Sequence, residues 1–184
     1  MAFKFVFIFA CFVLAALSYF FCRSKKDWAW LTVGLLFTVG ADYFLVIHDN
    51  HLPGVAVFSF AHMCYILRAL NFAEHRQKVA LIALPFVAFF VYLSFINNAL
   101  LVLTGIYAGL FLINITVNIK YCKINKPLVL CGLILFALCD VNVLLLNLPR
   151  QFGMPVIFPW AFYLIWIFYL PSQLLLAVSC VDFK

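Results

Sequence analysis

The sequence predicts an all-α, polytopic bundle of seven membrane-spanning helices, and three observations lead there. Of the 184 residues, 68% are hydrophobic and 10% charged, against about 45–50% and about 25% in soluble domains. The apolar residues gather in runs near the roughly 20 residues a helix needs to cross hydrocarbon. The charged residues fall mostly in the breaks between runs, where they orient helices and build no basic face for nucleic acid. The spans take up nearly the whole chain, so residues 1–184 are expected to form a single transmembrane domain.

Taken in order, the predicted spans are residues 3–22, 29–47, 55–70, 79–95, 100–119, 128–148 and 157–178. The first resembles a signal peptide in having Lys4 ahead of an apolar run. Bulky Tyr19, Phe20 and Phe21 at the cleavage position argue for a retained helix. Pro53-Gly54 marks the break before the third span, and His48, Asp49 and His51 read there as a solvated cluster. The uncharged stretch 79–119 is too long for one helix and divides at Asn97-Asn98. The stretch 151–181 is too short for two. An odd count then sends all of the 12 lysines and arginines except Lys4 and Arg150 to one face. The positive-inside rule places that face in the cytoplasm, with the N-terminus outside and the C-terminus cytoplasmic.

Two acids stand apart. Asp42 and Asp140 lie inside spans, whereas Asp27, Asp49, Glu74 and Asp182 fall in polar breaks or at the C-terminus. A carboxyl group in hydrocarbon is costly and rare unless it has a task. Both lie on outward-running helices, roughly 8–12 Å below the outer ends at 1.5 Å per residue. The third span carries His62, Tyr65 and Arg68 on one face, His62 level with the acids and Arg68 near enough to the cytoplasmic end to snorkel. The last span carries Tyr163, Tyr169 and Gln173, with Pro171 expected to kink it. The fifth contributes Thr104, Tyr107, Asn114 and Asn118, the asparagines suited to bonding between helices. A lone buried Asp is often structural; two at one depth beside a histidine point to proton chemistry.

Other chemistries lack their residues. The seven cysteines form no CxxC pair and behave as small hydrophobes. Cys22, Cys122 and Cys180, near helix ends on one side, are the candidates for acylation. No second membrane histidine completes a zinc site with His62. There is no Gly-x-Ser-x-Gly, P-loop or dinucleotide fingerprint. No lysine lies deep in the last span for a Schiff base. Neither a metal nor a cofactor is expected.

Four segments resemble the lysoplasmalogenase (YhhN-like) family of integral membrane proteins. Val39-Gly40-Ala41-Asp42-Tyr43-Phe44-Leu45 is similar to its small-residue–Asp–x–x–Leu motif, and Phe60-Ala61-His62-Met63-Cys64-Tyr65 to its Ala-His-x-x-Tyr motif. Phe136-Ala137-Leu138-Cys139-Asp140 resembles a Phe-x-x-Ser-Asp segment, with Cys139 replacing the usual serine. Tyr169-Leu170-Pro171-Ser172-Gln173-Leu174-Leu175 resembles the closing Tyr-x-x-x-Gln motif. Members usually carry eight helices, so the first is expected to be missing. Their Lys-Pro pair, which precedes the first Asp motif, occurs here only as Lys126-Pro127.

The resemblance implies hydrolysis of the vinyl-ether bond of lysoplasmalogens to a fatty aldehyde and glycerophospho-ethanolamine or -choline. Protonating the vinyl ether makes an oxocarbenium ion, for which one carboxylic acid and one carboxylate are a suitable pair, as in glycosidases. Asp42 and Asp140 are expected to share these catalytic roles, with His62 orienting one of them or the water. Tyr65, Tyr169 and Gln173 are expected to position the substrate, with Tyr163 and Asn114 as further binding candidates. The expected partners are a lysophospholipid substrate and the surrounding membrane lipids. The short loops favour a cell membrane, specifically a bacterial plasma membrane. The competing class is a non-enzymatic membrane protein, either a proton-coupled transporter or a lipid-binding bundle, since buried acids also serve proton relays.

Overall fold

Residues 2–71, 99–151 and 153–182 are described by the computed structural model, and helices account for most of them. Helix α1 (Ala2–Leu17) tightens into a 3₁₀ turn (Ser18–Phe20). Helix α2 (Lys25–Asp42) begins at Ser24, whose Oγ accepts the Asp27 amide, the usual way of satisfying a free N–H at a helix start. It widens into a π-helical turn (Tyr43–Ile47), and α3 (His51–Leu70) follows. Helices α4 (Ala99–Tyr121), α5 (Lys126–Gln151) and α6 (Ala161–Val178) complete the described chain. The predicted span 79–95 and the Asn97-Asn98 turn lie outside the described residues. Six described helices are long and apolar enough to cross a membrane.

The last helix begins later than hydropathy suggests. Residues 157–160 lie outside the helix, because Pro159 disfavours the helical conformation of Phe158 before it. The Phe158 and Trp160 carbonyls then accept the Ala161 and Tyr163 amides, which starts α6.

Each described helix packs on the next, and α6 returns to α1, closing a ring in chain order. Ile8, Leu31, Leu35, Leu133, Phe136 and Leu176 are buried inside it. The outer surface is apolar too. Ile134, Leu138, Val141 and Leu145 form an exposed stripe along α5, which a soluble helix would make polar. At Gly34 a Cβ would come within 2.5 Å of the Tyr65 ring, so this glycine admits the tyrosine against α2.

One end of the ring is tied shut by polar contacts. Arg68 donates from Nε and Nη2 to the two oxygens of Asp27 at 2.8 and 2.7 Å, and from Nη1 to Ser179 Oγ at 2.7 Å. Asn125 Nδ2 donates to the Ser179 and Val181 carbonyls at 3.0 and 2.6 Å. The chain after α1 meets the chain after α6 through Arg23 N–H to Cys180 O and Asp182 N–H to Phe21 O.

This cluster corrects two sequence expectations. Asp27 does not sit in a solvated break, and Arg68 does not snorkel; both are buried. The planar guanidinium matches a carboxylate through two parallel bonds, and here that match takes both charges out of solvent together. Cys180, an acylation candidate, is fully buried with its sulfur 3.0 Å from Ser18 Oγ; burial pushes its thiol pKa up.

Replacing Arg68 with alanine strands a buried carboxylate and is expected to cost about 3–5 kcal/mol. The double variant Asp27→Leu/Arg68→Leu, which removes both charges, is expected to lose distinctly less. Thermal unfolding in detergent measures both.

Candidate active site

At the opposite end from the Arg68 cluster, four helices bring two acid–tyrosine pairs to one cavity. Asp42 is the last residue of α2, and Tyr169 of α6 donates its hydroxyl to Asp42 Oδ2 at 2.7 Å. Asp140 of α5 receives the hydroxyl of Tyr107 of α4 on its Oδ2 at 2.6 Å. Among the described residues, neither Oδ1 accepts a hydrogen bond from the protein. Both acids line a cavity of about 380 Å³.

The walls between the pairs are aromatic. Phe58 lies 6.2 Å from Tyr107 and 6.4 Å from Tyr169, centroid to centroid, and 5.7 Å from Phe136. Phe136 in turn is 5.5 Å from Tyr169. These rings surround the acids with low-dielectric material, in which hydrogen bonds and charges act more strongly than in water. Lys4, Asp49, His51 and Asn147 add polar groups to the same cavity. Lys4 Nζ sits over Trp166 at 3.9 Å and Phe162 at 4.6 Å. His51 Nε2 lies 3.7 Å from Asp49 Oδ1.

The predicted site residues divide around this cavity. Asp42, Asp140 and Tyr169 line it. His62 does not. It is fully buried behind the aromatic wall, stacked on Phe111 at 4.6 Å and 5.0 Å from Tyr107, with Nδ1 3.1 Å from Asn114 Nδ2. Asn114 is occupied on both sides, since its Oδ1 also accepts Asn118 Nδ2 at 2.7 Å. Tyr65 is buried against α2, its hydroxyl 3.5 Å from Thr38 Oγ1. Gln173 is fully buried, with Nε2 3.4 Å from Ser172 Oγ. Tyr163 is exposed and lines a neighbouring cavity of about 510 Å³, which shares Leu146 and Phe162 with the first.

Four cavity residues read differently in the sequence. Tyr107 was one polar position among several on its helix face; its place opposite Asp140 depends on how α4 and α5 pack. Lys4 read as a topology signal, and Asp49 with His51 as a solvated turn. Their one sequence clue was that they fall at the same end as the two acids.

Two carboxyls, each with one oxygen held by a phenol and the other without a hydrogen bond among the described residues, can give and accept protons within an apolar chamber. The fold and this chamber define a multi-pass helical membrane protein with an acid-lined pocket. The chain belongs to the YhhN family, which matches residues 1–180 and includes lysoplasmalogenases. Comparison with curated proteins found no match, and comparison with solved structures found none.

The bond between Asn114 and His62 generates a stability prediction. Asn114→Ala leaves the buried His62 Nδ1 without that partner and is expected to cost about 1–3 kcal/mol. Thermal denaturation of the purified variant measures it.

Proposed function

We propose that the protein is a membrane-embedded ether hydrolase that cleaves the vinyl-ether bond of lysoplasmalogens. The products are a fatty aldehyde and glycerophospho-ethanolamine or -choline. In this reading it is a seven-span protein with its N-terminus outside and its C-terminus cytoplasmic, set in a cell membrane of bacterial type. The observation that carries the reaction is the pair of tyrosine-held carboxyls facing one aromatic-walled cavity. Membership of a family that includes lysoplasmalogenases supports it.

The chemistry needs one acid and one base. Asp42, the more deeply buried, is the proton donor, because an uncharged acid costs less to bury than a carboxylate. Its proton goes to the vinyl carbon remote from the ether oxygen, and the double-bond electrons form the new C–H bond. The ether oxygen shares the resulting positive charge, and the Asp140 carboxylate stabilises this oxocarbenium ion. Water then adds to the cationic carbon and gives its proton to Asp140. Collapse of the hemiacetal breaks the carbon–oxygen bond to glycerol. The hemiacetal hydroxyl loses a proton and the glycerol oxygen gains one, one water is consumed overall, and the proton left on Asp140 returns to Asp42, which restores the starting pair of one acid and one carboxylate. Tyr107 and Tyr169 fix one oxygen of each acid so that the other faces the substrate. His62, Tyr65, Gln173 and Asn114 act here as positioning residues, holding the helices that carry the acids.

Aldehyde release from lysoplasmenylethanolamine by purified protein tests this. Asp42→Asn and Asp140→Asn are each expected to lower the rate by about 10²–10⁴-fold. Tyr107→Phe and Tyr169→Phe, each losing one bond to a carboxyl, are expected to lower it by about tenfold. In D₂O, promptly trapped aldehyde is expected to carry one deuterium on the carbon next to the carbonyl. No aldehyde from the wild type, or full rates in both Asp→Asn variants, would overturn the proposal.

A further inference from the structure

The cavity carries a second pair of charges, and the acid–base reaction makes no use of them. Lys4 of α1 and Asp49, in the turn before α3, both line it. The ion pairs among the described residues are Asp49 with His51 and Asp27 with Arg68. Lys4 and Asp49 therefore face one cavity without pairing to each other. Lys4 is half-buried over the Phe162 and Trp166 rings. A lysine whose task is only to mark a membrane edge extends its ammonium into water; this one is drawn over aromatic faces that favour a cation. Asp49 is exposed and is held by a left-handed backbone, φ 52°.

We infer that Lys4 and Asp49 are the two poles of a head-group site for a zwitterionic phospholipid, Lys4 taking the phosphodiester and Asp49 the ammonium. The inference rests on the hydrolase reading for the orientation of the lipid. A phosphoethanolamine group carries its anion and cation a few bonds apart, which suits a cavity lined by a lysine and an aspartate that are not paired with each other. An unlike-charged site also discriminates against lipids bearing only one of the two charges. Each group of the lipid has a counterpart among the residues that line the cavity. Ammonium and phosphate meet exposed Asp49 and half-buried Lys4, the vinyl ether beyond the glycerol meets Asp140 and buried Asp42, and the chain meets apolar walls.

Equilibrium binding of a tritiated, saturated 1-O-alkyl lysophosphoethanolamine tests the site without hydrolysis, since this ether lacks the vinyl bond. Wild type is expected to bind it about tenfold or more tightly than the uncharged 1-O-alkylglycerol of equal chain length. Lys4→Gln is expected to abolish that preference while binding the alkylglycerol as wild type does, which also shows that the variant is folded. Lys4→Arg is expected to retain most of the preference. Asp49→Asn is expected to remove the preference for the phosphoethanolamine over the matching 1-O-alkyl glycerophosphate, which has no amine. Equal wild-type affinity for phospholipid and alkylglycerol, or an undiminished preference in Lys4→Gln, would overturn the inference. Complete displacement of the lipid by excess inorganic phosphate would do so too, by assigning a free-phosphate site. A head-group preference without aldehyde release would refute the hydrolase reading and leave the head-group site standing.

Discussion

The buried ion pair between Asp27 and Arg68 is the interaction on which the rest of the bundle depends. Removing two charges from water carries a penalty of several kcal/mol per ion, offset only when geometry and hydrogen bonds are nearly complete. Here both carboxylate oxygens are bonded, and Arg68 reaches a third partner in Ser179. The result ties α2, α3 and the end of α6 at one level. Asn125 and the backbone contacts around Cys180 and Asp182 close the same end. With that end fixed, the helices at the other end enclose a cavity while their spacing stays defined.

The same residue type is used differently there. Asp27 is paired with a guanidinium, Asp42 and Asp140 with phenols. An arginine partner holds a carboxylate as a permanent anion, which suits a structural tie. A tyrosine hydroxyl satisfies one oxygen without bringing a compensating charge, and so leaves the acid able to exchange a proton. The guanidinium thus sits with the structural aspartate, away from the two that line the cavity. The aromatic wall keeps His62 and its asparagine partner out of the chamber.

Hydropathy made the helices legible because lipid demands long apolar runs whatever the helices pack against. Residue rise along a helix is fixed, so the sequence sets Asp42 and Asp140 at a similar level, and in the structure both line one cavity. What a one-dimensional count cannot supply is the direction around each helix axis. His62 was read level with the acids, yet it points behind the Phe136 and Tyr107 rings. Asp27 sat in an apparent break because its partner lies 41 residues away, and Arg68 looked free for the same reason. Tyr107 had the right depth but no sequence mark distinguishing it from the other polar positions of its helix. The last helix shows the smaller error of hydropathy alone, which cannot see that Pro159 delays its start.

The position of Asp49 has a local cause in the segment that follows Asp42. After Asp42 the helix widens into π turns over Tyr43–Ile47, which shifts the residues that follow around the axis; such bulges recur at functional sites. The Asn50 amide then returns to the Phe44 carbonyl at 2.9 Å, and Asp49 takes its left-handed conformation inside that closed turn. Leu45 packs against Gly54 of α3, where a Cβ would approach within 2.5 Å. Gly54 thus serves less as a turn residue than as the space that lets the π segment dock on α3. The wide turn follows Asp42 directly, and the tight turn after it brings Asp49 back to the same cavity. One short irregular stretch thereby connects an acid of the chamber to a second charge that lines it.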